Sequence, residues 1–157
     1  MKILLDIDGV MVTTPAWKKA EIHEDGFLMF NSTAADNLSR LIAETNASII
    51  LTTTHRISFS DNDWQQILER RGIKVSNVSK INNCSTIQEM PDRATEIKQW
   101  VDNKMDNEPF VIIDDDSSLN GLPLNIKAKW VKTSSLIGFD KESADTAKLI
   151  LCGHNNC

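Results

Sequence analysis

Two carboxylates, Asp6 and Asp8, close the apolar run at the start of the chain, in LLDIDGV, with Gly9 directly behind them. A second apolar run, IILTTTHR, ends in hydroxyls at Thr52 and Thr53, and a third, VIIDDD, ends in Asp114, Asp115 and Asp116. Acids at this density repel one another unless a cation sits between them, and no lysine or arginine adjoins either acid group in sequence. Mg²⁺ suits such a set, because it is held by one or two carboxylates, keeps several waters and bridges to phosphate oxygens. The hydroxyls and backbone N–H groups at Thr52 and Thr53 suit phosphate oxygens as well. A further cation is needed for developing charge, and PDRATEIKQW offers two. Arg93 falls on the first turn of the helix expected there, whereas Lys98 lies about 7 Å further along its axis, so Arg93 is favoured and Lys98 is the alternative. His55 and Arg56 follow the threonines and are candidates for substrate contact, the competing use being to cap or pair with Asp61 or Asp63.

These residues need a scaffold that brings them together. KILLDI, ASIILT, IKVSNV, PFVIID and KAKWVKT read as strands, nearly continuous in apolar character, as expected when both faces of a sheet are covered. Between them lie helical patterns: NSTAADNLSRLIAETN, capped at Asn31 or Ser32; SDNDWQQILERRG, with Ser60 and Asp63 at capping-box spacing; MPDRATEIKQWVDNK, with Pro91 at its first position; and a closing KESADTAKLIL. The alternation predicts an α/β fold, a doubly wound (Rossmann-like) parallel sheet of about five strands with helices on both faces. Residues 10–30 are the exception and are expected to form a small hairpin after the first strand. In such sheets ligands bind beyond the carboxyl ends of the strands, which is where all three polar clusters fall.

The order LLDIDGV, IILTTT, a basic residue at a helix start, then VIIDDD resembles the haloacid dehalogenase-like (HAD) phosphohydrolases. In VKTSSLIGFDKESADTAKLIL, in IILTTTHR and in the helix carrying Trp100 the chain is also similar to the HAD domain associated with RNA-repair proteins. The resemblance implies a phosphomonoesterase that works through an aspartyl-phosphate. It implies Asp6 as nucleophile, Asp8 as acid for the leaving oxygen and then base for water, and Thr52 and Arg93 on the transferring phosphoryl group. It also implies Mg²⁺ held by Asp114, Asp115, the Asp6 carboxylate and the Asp8 backbone carbonyl. Arginine at the third motif departs from the lysine common in that family. Thr53, His55, Arg56 and Lys98 are the expected substrate-binding residues. Asp116 is expected to cap the turn that follows.

Neither the stretch from Asp8 to Thr52 nor that from Thr52 to Arg93 has room for a folded cap, so no cap domain is expected. The site should be open, admitting a nucleic acid end or another bulky phosphorylated substrate. The alternatives are a small-molecule or nucleotide phosphatase closed by oligomerisation, and a catalytically silent HAD-like binding module. A receiver-like signalling domain would carry its phospho-acceptor Asp on the middle strand, which here ends SNVSK. Trp17 either stacks on a base while Lys18 and Lys19 meet phosphate, or packs the hairpin onto the body.

The 157 residues, with 41% hydrophobic and 25% charged, suit one domain spanning 1–157 with its own core. No apolar run approaches the roughly 20 residues of a membrane span, and a cytoplasmic protein is expected. The net charge of −5 disfavours non-specific affinity for nucleic acid. Three scattered cysteines, Cys84, Cys152 and Cys157, argue against a disulfide framework or a zinc site, and free thiols with a frayed LCGHNNC tail are expected.

Overall fold

The computed structural model describes residues 1–15, 17–154 and 157. Five strands form: β1 (Lys2–Leu5), β2 (Ser48–Leu51), β3 (Val78–Lys80), β4 (Phe110–Asp114) and β5 (Trp130–Lys132). All pair in parallel, in the order β3-β2-β1-β4-β5. The chain therefore builds outward from β1 on one side, then crosses over to lay β4 and β5 on the other. That reversal puts the topological switch point between β1 and β4, where open sheets of this type bind ligands.

Strand alternation assigns each side chain to one of two cores. Ile3, Leu5, Ile49, Leu51, Val111 and Ile113 face one layer, beneath α1 (Ser32–Thr45), α2 (Asp61–Arg70) and α5 (Lys141–Cys152). Leu4, Ile50 and Ile112 face the other, where Ile97 of α3 (Arg93–Asn103) and Ile126 of the single turn α4 (Leu124–Lys127) cover them. Helix starts follow their caps: Asn31 accepts from the Ala34 N–H, and Ser60 and Asp63 form the expected reciprocal capping box. Among the described residues, no helix is long and apolar enough to cross a membrane.

Four expectations need correction. The third strand runs over Val78–Lys80 rather than 73–78. Gly72 turns the chain at φ +80°, the Ile73 N–H bonds back to the Leu68 carbonyl, and Ile73 and Val75 are buried against the helix end instead of in a ladder. Pro91 lies outside α3, whose N-cap is Asp92, accepting from the Thr95 N–H. The 10–30 segment is only partly a hairpin. Val10, Met11 and Val12 fold back onto the Ile7 carbonyl and into the core, and a single antiparallel bridge, Ile22 to Leu28, closes a tight turn at Asp25–Gly26. Finally, Cys152 and Cys157 are joined in a disulfide, with Cα atoms 5.3 Å apart, while Cys84 is a free thiol. The expected fraying of the tail falls in part on Asn155 and Asn156, outside the described residues.

The 21–29 turn is clamped to the body by Arg71 at the end of α2. Its guanidinium bonds both Asp25 oxygens, at 2.6 and 3.0 Å, and donates to the carbonyls of Leu28 and Ile67. It also sits over the Phe30 and Phe27 rings, 4.9 and 5.6 Å from their centroids. The hydrogen bonds from Arg71 hold the Asp25 carboxyl well below the usual carboxylate range, against the opposing effect of burial. A depressed folded-state pKa gives stability that is present above the ordinary value of about 3.9 and lost as pH falls through the folded one. Asp25→Asn should therefore lower the melting temperature at neutral pH, and the gap from wild type should shrink toward roughly pH 3. A melting series across pH checks this; a gap that stays constant counts against the pair.

Candidate active site

The parallel register sets the site. Leu5 pairs with Leu51 and with Ile113, so Asp6, Thr52 and Asp114 each stand one step beyond the same level of three adjacent strands. The Asp6 N–H donates to the Ile113 carbonyl, and the Thr52 N–H to the Leu5 carbonyl. All three side chains are buried. Arg93, the first residue of α3, reaches across them. Its Nη1 lies 2.5 Å from Asp114 Oδ2 and 3.3 Å from both Asp6 Oδ1 and Thr52 Oγ1.

Burial pushes the Asp6 carboxyl up to about 7, the charge of Asp114 adds to the rise, and Arg93 works against it. Asp114 and Asp115 are raised too, first by burial. Burial also opposes the charge on Arg93, but Asp6 and Asp114 outweigh it and hold the guanidinium protonated. The cluster is thus short of positive charge. Asp6, Asp114 and Asp115 each offer a carboxylate oxygen within 4.8 Å of the others, a donor set that fits a hard divalent cation. Gly9 makes room for it: the glycine sits at φ +77°, and a Cβ there would stand 2.0 Å from Asp115 Oδ2. Its carbonyl accepts from the Thr133 hydroxyl at 2.8 Å.

Asp8 points elsewhere. Its side chain is 61% exposed, and its Oδ2 lies 2.8 Å from His55 Nε2. A cavity of about 810 Å³ opens over Asp6, Asp8, Gly9, Arg93 and Asp115, with Thr54, Trp17, Lys18 and Leu136 along its walls. Thr54 and Leu136 were not among the residues expected to touch substrate, whereas Lys18, weighed beside Trp17 as a phosphate contact, does lie on the wall. Thr54 directly follows the threonines beyond β2, whereas Leu136 comes from a distant segment that no local pattern marks.

Of the expected substrate-binding residues, the structure brings only His55 to the acids, and it meets Asp8. Thr53 is buried, its hydroxyl accepting from the His55 N–H as a cap. Lys98 lies on the exposed side of α3, paired with Asp102 at 2.6 Å; the third-motif cation at the acids is Arg93. Arg56 is wholly buried, bonding the Thr52 and Thr53 carbonyls at 2.9 and 3.1 Å, Asn82 Oδ1 at 3.1 Å and Glu96 Oε1. Asn82 closes the network on Glu96 at 2.9 Å. Glu96 is one turn beyond Arg93, so this buried pair locks the start of α3 to the end of β2. It sets Thr52 and Arg93 against each other. Asp116 caps the following turn, accepting from the Ser118 N–H, as expected.

A family model described as the HAD domain in Swiss Army Knife RNA repair proteins matches residues 2–144. The chain belongs to this family. Searches of curated proteins and of solved structures found no match. Membership in the HAD family supports a HAD-type phosphohydrolase in general, and the five-stranded parallel sheet with flanking helices agrees with it.

Removing Arg56 would leave the buried Glu96 carboxyl without its cation, with Asn82 as its remaining side-chain partner in the HAD domain. Arg56→Ala should lose about 3–5 kcal/mol of stability, whereas Lys98→Ala should stay within about 0.5 kcal/mol of wild type. Urea unfolding of the two variants side by side decides whether the Arg56–Glu96 link carries this weight.

Proposed function

We propose that this HAD domain is a Mg²⁺-dependent phosphomonoesterase that works through an aspartyl-phosphate on Asp6, with the phosphorylated end of a nucleic acid as substrate. The observation that carries the reading is the meeting of Asp6, Thr52, Arg93 and Asp114 at one sheet edge, with Asp8 held on the outer side of the same cavity.

The chemistry follows from those positions. Asp6 attacks phosphorus as the bond to the ester oxygen breaks, and Asp8, protonated, gives its proton to that oxygen. Asp8, now a carboxylate, takes a proton from the water that attacks the aspartyl-phosphate, which releases inorganic phosphate and restores Asp6. Arg93 and Thr52 donate to the oxygens of the transferring group, where most of the charge resides. Asp6, Asp114 and Asp115, with the Asp8 backbone carbonyl, would hold Mg²⁺, which supplies the neutralising charge that three crowded acids and a phosphate require.

Two features support a nucleic acid end. The cavity is open, and its rim carries Trp17, 85% exposed, beside Lys18. An exposed indole next to a lysine suits a base stacked above its own phosphate. The family description also names RNA repair proteins. With a net charge of −5, recognition would be local to this rim rather than spread along the backbone.

Hydrolysis of an aryl phosphate should require Mg²⁺ and fall on the order of 10⁴-fold in Asp6→Asn. Arg93→Ala should lose about 10²–10³-fold, and Lys98→Ala should match wild type; equal rates in wild type and Asp6→Asn end the nucleophile assignment. For substrate class, 3′- and 5′-phosphorylated oligonucleotides should be compared with glycerol phosphate. Trp17→Ala should weaken kcat/KM for the oligonucleotides by about 10-fold and leave glycerol phosphate unchanged. A loss of equal size on both substrates removes the stacking role.

A further inference from the structure

Asp8 has a task that demands a fixed direction, yet its own surroundings give it little. The side chain is largely in solvent, and among the described residues its one hydrogen-bond partner is His55. A free aspartate at such a place visits several rotamers. His55, by contrast, is held from several sides. It stands in the short 3₁₀ turn Thr54–Ser58, and its backbone N–H donates to Thr53 Oγ1 at 3.2 Å. Its ring meets the Phe27 ring edge-on, 5.4 Å between centroids and 81° between planes. Phe27 is buried in turn against Phe59 and Trp64, and the turn that carries it is the one clamped by Arg71. A rigid imidazole thus meets a carboxyl that would otherwise rotate.

We propose that His55 is the positioning residue for Asp8. Its Nε2–H donates to Asp8 Oδ2, which leaves Oδ1 as the oxygen that carries the catalytic proton and aims it at the leaving oxygen. In the first step the Asp6–phosphorus bond forms, the ester P–O bond breaks, and the proton passes from Asp8 Oδ1 to the departing oxygen. In the second, Asp8 Oδ1 takes the proton of the attacking water. His55 keeps its own proton throughout. This deepens the phosphatase reading above and rests on it. It also replaces the expectation that His55 touches substrate.

The test separates a positioning role from a structural one by the leaving group. 4-Nitrophenolate departs with little help, whereas the alkoxide of glycerol phosphate needs a proton as it leaves. Because kcat/KM reports only the steps through departure of the leaving group, His55→Ala should lower it about 10–100-fold on glycerol phosphate and less than about threefold on 4-nitrophenyl phosphate. Asp8→Asn should show the same selectivity on a larger scale. His55→Gln, whose side-chain amide can donate from nearly the same place, should recover most of the lost rate. Equal losses of kcat/KM on the two esters, no loss at all, or a glutamine variant as poor as the alanine would each overturn the proposal. If wild type hydrolyses neither ester, it is the phosphatase reading that fails. The pair itself is then read without turnover, from the imidazole ¹H–¹⁵N signals of His55 in wild type and in Asp8→Ala. Signals that do not move on loss of Asp8 overturn the pairing; a clear shift upholds it.

Discussion

Like charges forced together at the carboxyl edge of a parallel sheet are the constraint on which the rest of this structure turns. Asp6 and Asp114 each stand one step beyond the Leu5–Ile113 pair of neighbouring strands, and the register brings them side by side. Asp115 adds a third acid. In the protein alone, one guanidinium relieves the crowding, and that of Arg93 must then be delivered to within hydrogen-bond distance of two carboxylates and a threonine. The placement of α3 follows from this need. So does the buried Arg56–Glu96 pair, which fixes the helix where Arg93 can reach. Gly9 belongs to the same requirement, because any side chain there would displace Asp115.

The two acids of the first motif resolve the crowding differently. Asp6 stays buried, with its charge disfavoured by its surroundings and matched by Arg93. Asp8 turns outward to a histidine and leaves the cluster. In a continuing strand two residues this far apart would share a face; here β1 ends at Leu5 and the chain turns back on the Ile7 carbonyl, so the two acids part. A single short segment thereby furnishes a shielded group suited to attack and an accessible group suited to proton transfer.

Much of this was legible in the chain, and for physical reasons. Burial of both sheet faces writes itself as long apolar runs, so β1, β2 and β4 stood out, and caps such as Ser60–Asp63 are local enough to be read from spacing. Arg93 could be placed by helical rise alone. What escaped was decided by contacts between distant segments. Ile73 and Val75 look like a strand because they are apolar, but a helix end, not a ladder, buries them. Arg56 looks like a substrate contact because it follows the threonines; only Glu96, 40 residues on, shows that it is internal. Likewise Asp25–Gly26 marks a turn within 21–29, but nothing in that stretch shows that Arg71 fastens it.

That turn also shapes what a substrate meets on arrival. Because Arg71 fastens it, and it in turn backs the histidine beside Asp8, the support behind that acid has its final form before anything binds. No ordering of this loop need be drawn from the free energy of association. On that side the molecule discriminates by standing shape rather than by a segment that must first become ordered.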